Sequence, residues 1–243
     1  MTKFEKRADG AYVISGMERA LVGTVGREIN RVDYTLDPAA IRHEEKALLA
    51  PVTGLPGARI VMLQQVHGDT IVDMREPPGE DLPWIAEADA LVTALGGLCL
   101  VIRTADCIPV FILDPVRRVL GAAHSGWKGT KLEIARLTTR FMKERYGSDP
   151  ANLRAFVLPG IGPRSYAVNE DVACLFPNDT ETREGRIYLD LWRHIARSLA
   201  AEGVHPDSIF MTGICTLENW KSFFTHRGGD AGRNLNFGAL FPA

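Results

Sequence analysis

Leu98-Cys99-Leu100-Val101-Ile102-Arg103, Thr104-Ala105-Asp106-Cys107, Pro109-Val110-Phe111-Ile112-Leu113, Asp114-Pro115 and Val119-Leu120-Gly121-Ala122-Ala123-His124 succeed one another between residues 98 and 124. The apolar pieces are short, rich in β-branched and aromatic side chains, and bounded by turn formers, so they read as three strands. Their connections are too short for a parallel crossover and predict an antiparallel meander. The first strand ends in the turn that carries Cys107, the second descends to Asp114-Pro115, and the third climbs back to His124. Cys107 and His124 are therefore expected at one edge of one sheet.

Working outward, Ser125-Gly126-Trp127-Lys128-Gly129 leads into Thr130-Lys131-Leu132-Glu133, a capping-box pattern. A helix is predicted from there to Tyr146, with Ile134, Leu137 and Phe141 on its apolar stripe and Gly147 as its stop. Its N-terminus, with unpaired N–H groups and partial positive charge, is expected to face the same edge, where it favours a thiolate or an anionic ligand. Lys128 adds a full charge. Asp37-Pro38 predicts a second helix over 37–49, Asp190 a third that stops at Gly203, and Asn169 a short fourth. Further strands are predicted at 59–65, 154–158 and 208–212, and Glu76-Pro77-Pro78-Gly79-Glu80-Asp81-Leu82-Pro83 as a surface loop. No element is assigned within residues 1–36. The pattern is that of an α+β fold, a single domain over 1–243 of mixed, largely antiparallel sheets flanked by helices.

The composition narrows the function. A formal net charge of −2 leaves no basic excess for a nucleic-acid backbone. No apolar run reaches the roughly 20 residues that span a bilayer. The N-terminus shows no apolar signal segment. The four cysteines, Cys99, Cys107, Cys174 and Cys215, form no CxxC and read as reduced thiols of a cytoplasmic protein, three of them buried. His43 and His194 read as surface groups on helices, and His205 as a loop residue. His226 precedes Arg227 in a loop expected to face the Cys107 edge.

His67 follows another strand in Gln65-Val66-His67-Gly68, but spacing does not bring it to Cys107 and His124. A lone cysteine after an apolar strand is more often a small core residue, and a histidine at a strand end more often a surface group. The order of several stretches adds to this reading. Gln65-Val66-His67-Gly68, Ala88-Asp89-Ala90-Leu91-Val92-Thr93, Thr104-Ala105-Asp106-Cys107, His124-Ser125-Gly126-Trp127-Lys128-Gly129 and Pro159-Gly160-Ile161-Gly162-Pro163 resemble the YfiH-type laccase-domain proteins. These are also called multicopper polyphenol oxidoreductases and, more recently, purine nucleoside phosphorylases. The likeness runs from about Asp37 to the C-terminus.

The resemblance implies that His67, Cys107 and His124 bind zinc and leave a fourth position open, the pattern of a catalytic site. It implies phosphorolysis of purine nucleosides to free base and ribose 1-phosphate, with adenosine deamination. Nucleoside and phosphate are then the small-molecule partners. Candidate phosphate ligands are Lys128, Arg227, Arg233 and the helix N-terminus near Thr130. Trp127 can stack on a base or simply cover the core. Cys107, His124 and Asp106 are the candidate catalytic groups. Asp106 and Asp89 are candidates for carrying a proton or orienting a ligand histidine, and each can equally cap a turn. The Arg- and Gly-rich segment that family members carry near the N-terminus is only loosely matched here, between Gly23 and Leu36.

Two other chemistries use the same residues. Copper oxidation of phenols needs ligands for several coppers, whereas this chain has six histidines and no His-x-His pair. Copper at this site would be adventitious or an alternative metal. A metal-free cysteine hydrolase would use Cys107 as nucleophile and His124 or His67 as base, and the resemblance implies amide bonds in peptidoglycan precursors as its substrate.

Overall fold

The computed structural model describes residues 2–79 and 82–242, so Glu80 and Asp81 of the expected surface loop lie outside the described residues. The chain opens with β1 (Phe4–Lys6), β2 (Tyr12–Ile14) and β3 (Ala20–Val25), then α1 (Pro38–Thr53), β4 (Ile60–Met62) and β5 (Ile71–Met74). The central run is β6 (Ala90–Thr93), β7 (Leu98–Thr104), β8 (Ile108–Asp114), β9 (Val119–Ser125), α2 (Trp127–Lys131) and α3 (Ile134–Tyr146). There follow β10 (Arg154–Val157), β11 (Ala167–Val168), α4 (Glu170–Ala173), β12 (Thr180–Arg183) and β13 (Arg186–Leu189). The last elements are α5 (Leu191–Ala201), β14 (Ile209–Met211) and β15 (Asn234–Leu240). No described helix is long and apolar enough to cross a membrane.

These strands form an α+β fold. One six-stranded sheet has the order β1-β2-β3-β15-β7-β4 and the other β14-β10-β8-β9-β6-β5, with a small sheet β11-β13-β12 beside them. Most pairs are antiparallel, while β4–β7, β5–β6 and β10–β14 are parallel.

Alternation along the strands explains the layering, because successive side chains point to opposite faces. Leu98, Leu100 and Ile102 of β7 pack with Phe111, Leu113, Leu120 and Ala122 of β8 and β9 in a core between the two large sheets. The intervening Cys99 and Val101 face α1, where Leu49 and Val52 cover them. Ile108, Val110 and Ile112 face Ile134, Ala135, Met142, Ile195 and Leu199 of α3 and α5. Each central strand is thus apolar on both faces because both faces are covered.

The meander expected over 98–124 is corrected. Only β8 and β9 pair with each other, from Ile108↔Ser125 to Asp114↔Val119. β7 lies in the other sheet, between β15 and β4. The turn at 104–107 steps from one sheet to the next, since the edges of β8 are taken by β9 and β10. The expected shared edge for Cys107 and His124 survives, because Pro109 sits opposite His124.

The helix expected from Thr130 is also corrected. α3 begins at Ile134, and its cap residue Glu133 is left-handed with no side-chain cap bond. Thr130 cannot cap because its hydroxyl pairs with that of Ser125 at 2.8 Å. The carboxylate of Glu133 instead meets His194 Nε2 at 2.8 Å. The helix end near the Cys107 edge therefore belongs to the five-residue α2, entered through extended Gly126. His194, expected as a surface group, is half-buried between Glu133 and Asp179. Cys99 and Cys215 are buried as expected, but Cys174 at the end of the one-turn α4 is exposed.

Asp37 caps α1 through Ala39 and Ala40 N–H, and the helix continues past the expected Leu49 to a left-handed Gly54. Asp190 caps α5 through Arg193 N–H, and α4 follows Asn169 as expected.

β15 joins the two halves of its sheet, and at Gly238 the facing sheet comes close. A Cβ there would lie 2.6 Å from Cδ1 of Phe111, which is fully buried. Gly238→Ala is expected to lower unfolding free energy by about 1–3 kcal/mol through overpacking, measured by urea denaturation. An unchanged midpoint would show that the intersheet layer has room.

Candidate metal centre

The loop after β4 is tied down at successive residues. Gln65 Nε2 donates to the Arg103 carbonyl and Arg103 N–H donates to Gln65 Oε1, both at 2.8 Å, fastening the loop to the end of β7. The next three N–H groups, of Val66, His67 and Gly68, all donate to the Asp89 carboxylate at 3.2, 2.9 and 2.7 Å. His67 is held there at φ 63°, a left-handed conformation uncommon outside glycine.

Asp89 precedes β6 and has no exposed surface. Its Oδ1 also contacts His124 Nδ1 at 2.8 Å, which leaves Nε2 of that ring as the ligand nitrogen. His124, 2% exposed, comes from β9, and Cys107 from the residue before β8. One ligand atom from each of His67, Cys107 and His124 falls within 4.8 Å of the others, so the three can hold a metal ion. His67 Nε2 is 4.0 Å from Cys107 Sγ.

The backbone around the cluster has no spare room. A Cβ on Gly126 would stand 2.8 Å from Cys107 Sγ and 3.3 Å from His67 Cδ2. A Cβ on Gly160 would stand 3.0 and 3.1 Å from the Asp106 and Cys107 carbonyls. The Gly-rich stretches after His124 and around Gly160 are explained by these close approaches.

Electrostatics favour a thiolate. Burial pushes the Cys107 thiol up, but hydrogen bonding and charge from His124 and His67 outweigh it and hold it below its ordinary value. Burial pushes His124 down, and Asp89 with Cys107 outweighs it in the raising direction. The two groups titrate together, and the thiolate is the form that binds a metal. Two nitrogens and one sulfur in this arrangement fit zinc, with a coordination position left for a small molecule.

Two cavities meet at the cluster, and both are lined by His67, Ala105, Cys107 and His226. One, of about 330 Å³, adds Arg42, Gln64, Gln65, Arg103, His124 and Arg233. The other, of about 290 Å³, adds Trp127, Ile161, Tyr166, Leu191 and Arg227. His226 thus faces the site, as its loop position predicted. Lys128 is exposed, 5.6 Å from the Trp127 ring centroid, and lines neither cavity. Asp106 sits at φ 84°, where its carboxylate accepts from Thr216 Oγ1 at 2.6 Å and from Arg227 N–H at 2.7 Å. It fastens the 226–227 loop over the site. Arg227 donates to the Ala167 carbonyl and lies over the Tyr166 ring, whereas Arg233 faces the first cavity.

Sequence reasoning missed Arg42 and Arg103 altogether. The available signal was charge on a face that should be apolar. Arg42, Glu45 and Lys46 share the buried side of α1 with Ile41, Leu49 and Val52, and Arg103 follows five apolar residues near the end of β7.

A family model described as multi-copper polyphenol oxidoreductase laccase matches residues 24–240. A purine nucleoside phosphorylase of Deinococcus radiodurans is 37% identical over 212 residues, 84% of this chain and 79% of the relative. Another purine nucleoside phosphorylase, from Streptomyces coelicolor, is 34% identical, with 95% of this chain and 91% of the relative covered. The crystal structure of the Bacillus licheniformis hypothetical protein YfiH superimposes with a TM-score of 0.86 at 26% identity, covering 98% of both chains.

The tight cradle makes a prediction. Gly126→Ala is expected to weaken metal affinity about 10- to 100-fold by displacing Cys107 or His67, with an unchanged far-ultraviolet circular dichroism spectrum. Competition against a chromophoric chelator measures it, and wild-type affinity in the variant would refute the proposed ligand geometry.

Proposed function

Since the chain belongs to the multi-copper polyphenol oxidoreductase laccase family, we propose that it is a zinc enzyme of purine nucleosides. The reactions are phosphorolysis of adenosine- and inosine-type nucleosides to free base and ribose 1-phosphate, and deamination of adenosine. The observation that carries this reading is the His67–Cys107–His124 group standing between two cavities of different character. The names of the Deinococcus and Streptomyces relatives support the substrate class.

When bound, zinc would polarise a substrate oxygen or lower the pKa of a water to about 7. The protein's own groups do the rest. The Asp89 carboxylate orients His124 and fixes the backbone of His67. Trp127, Ile161, Tyr166 and Leu191 offer the flat, largely apolar surface that a purine base needs, with Arg227 at its edge. Asp106 has both carboxylate oxygens engaged with Thr216 and Arg227. Its role in this reading is to position the loop of His226 and Arg227. Arg233 serves the other cavity, and Lys128 takes no part.

Copper oxidation of phenols finds less support. Among the described residues His67, Cys107 and His124 form the one group of three or more close ligand side chains, enough for one ion.

Metal analysis of the wild type beside Cys107→Ala tests the proposal, with nucleoside turnover followed with and without phosphate. About one zinc per chain is expected in the wild type and little in the variant, together with phosphate-dependent release of free base. Full metal occupancy in Cys107→Ala would refute the ligand assignment. Activity that survives chelation but is lost on thiol alkylation would favour the cysteine hydrolase instead.

A further inference from the structure

The first cavity holds more positive than negative charge. Arg42, Arg103 and Arg233 all line it. In their midst is one carboxylate, Glu45, with no exposed surface. Arg103 takes most of that carboxylate, its Nε lying 2.8 and 2.7 Å from the two oxygens. The Tyr34 hydroxyl donates to the same group at 3.1 Å. Arg42 reaches no closer to it than 3.6 Å. Arg42 is 9% exposed, and its Nε is buried with no hydrogen-bond partner among the described residues. Burial, then repulsion from Arg103, brings its pKa down to about 10. Burial and Arg103 act in the same direction on Arg233.

A purely structural Arg–Glu–Arg arrangement would pair both guanidinium groups with the carboxylate, since an uncompensated buried charge is costly. Here Arg42 meets the carboxylate only at 3.6 Å, and its buried Nε has no hydrogen-bond partner among the described residues. Arg103 spends its Nε on Glu45, and among the described residues no bond occupies its two Nη atoms. Its backbone is clamped by Gln65, and the Arg233 carbonyl is clamped by Asn30 at 2.8 Å. Pre-set guanidinium forks are the groups that bind phosphate oxygens best.

We propose that Arg42, Arg103 and Arg233 form a subsite for inorganic phosphate beside the metal cluster, in the cavity that Trp127 and Tyr166 do not line. The proposal deepens the nucleoside reading and rests on it for the direction of attack. With the base in the aromatic cavity, a phosphate oxygen in the arginine cavity approaches C1′ of the ribose from across the cluster. The new O–C1′ bond forms as the C1′–N9 bond breaks. The electron pair of the broken bond leaves with the base, and the base takes up the proton that hydrogen phosphate gives up.

Arg42→Gln tests the subsite, because among the described residues Arg42 makes no side-chain hydrogen bond, and the fold loses only its 3.6 Å ion pair with Glu45 and its place 6.0 Å from the Trp84 ring centroid. In the zinc-loaded protein, KM for phosphate should rise about 10- to 100-fold. KM for the nucleoside should stay within about twofold and zinc content should be unchanged, because Arg42 does not line the base cavity and is not one of the three ligand residues. Thermal denaturation supplies a readout independent of turnover. Inorganic phosphate, against sodium chloride at equal ionic strength, should raise the midpoint of the wild type but not of Arg42→Gln, with Arg42→Lys intermediate. That pattern in a protein inactive on every nucleoside would support the subsite and sink the nucleoside reading. Equal phosphate shifts in wild type and Arg42→Gln would overturn the subsite whatever the activity. Stabilisation by adenosine 5′-monophosphate but not by free phosphate would also overturn it, by assigning the arginines to a phosphate ester. Should Arg42→Gln fail to fold, Arg233→Gln carries the same comparison, since among the described residues the side-chain bonds of Arg233 reach only the Ala231 and Gly232 carbonyls.

Discussion

Asp89 has no exposed surface, yet its carboxylate gathers the N–H groups of Val66, His67 and Gly68 and the Nδ1 of His124. An ionised carboxylate buried alone would cost several kcal/mol even after local relaxation. Burial accordingly pushes its pKa up, but His124 and the Gly68 and His67 amides outweigh burial and hold it below the usual range. Those charge-assisted bonds do more than settle the charge. They tie the loop after β4, the start of β6 and the end of β9 at one point. They also force the left-handed turn at His67 and leave one nitrogen of His124 for a ligand role. The positions of two of the three donor side chains therefore depend on one residue that binds no ligand itself.

The third donor depends on how the sheets are joined. β7 and β8 are consecutive in sequence but belong to different sheets. The link between them must cross the intersheet core within Ala105, Asp106 and Cys107, and the strained φ of Asp106 is part of that crossing. Residue 107 emerges at the seam where both sheets end, between the loop after β4 and the end of β9. Asp106 then uses its carboxylate to draw in Thr216 and the Arg227 backbone from the far end of the chain. The site is thus assembled where strand ends from both sheets converge, and the strain at His67 and Asp106 is borne by the bonds that converge with them.

Local signals in the sequence were read well where one residue decides an outcome. Asp37 and Asp190 cap helices because each side chain needs only its own following turn. Strand existence was legible for β7 to β10, but strand partnership was not. A segment apolar on both faces has no period that says which neighbour it chooses. β15 went unseen because Asn234, Asn236 and Gly238 interrupt its apolar run. Asn236 is nonetheless central, since its side chain bridges Thr24, Ile102 and Thr104 inside the sheet. Thr130 failed as a helix cap because a tertiary partner, Ser125, claimed its hydroxyl. The expectation that Cys107 and His124 meet held although the meander behind it did not. Only the β8–β9 pairing was needed, and that pair is a true hairpin.

The contrast between the two cavities bears on the chemistry more than the family's oxidase description does. Oxidation of a phenol at several coppers needs ligands for several ions and a path for electrons between them. The ligand group found among the described residues serves one. A displacement between an apolar, aromatic leaving group and an oxyanion nucleophile needs something else, namely two compartments of opposite character on either side of the reacting carbon. Trp127, Tyr166 and Leu191 make one wall apolar, and Arg42, Arg103 and Arg233 make the other cationic. Glu45 keeps the cationic wall assembled without neutralising it, because one buried carboxylate takes Arg103 Nε at 2.7 Å and meets Arg42 only at 3.6 Å. That residual charge is a cost to the free protein that an anionic substrate relieves, so binding energy is concentrated on the oxyanion at the wall facing the cluster.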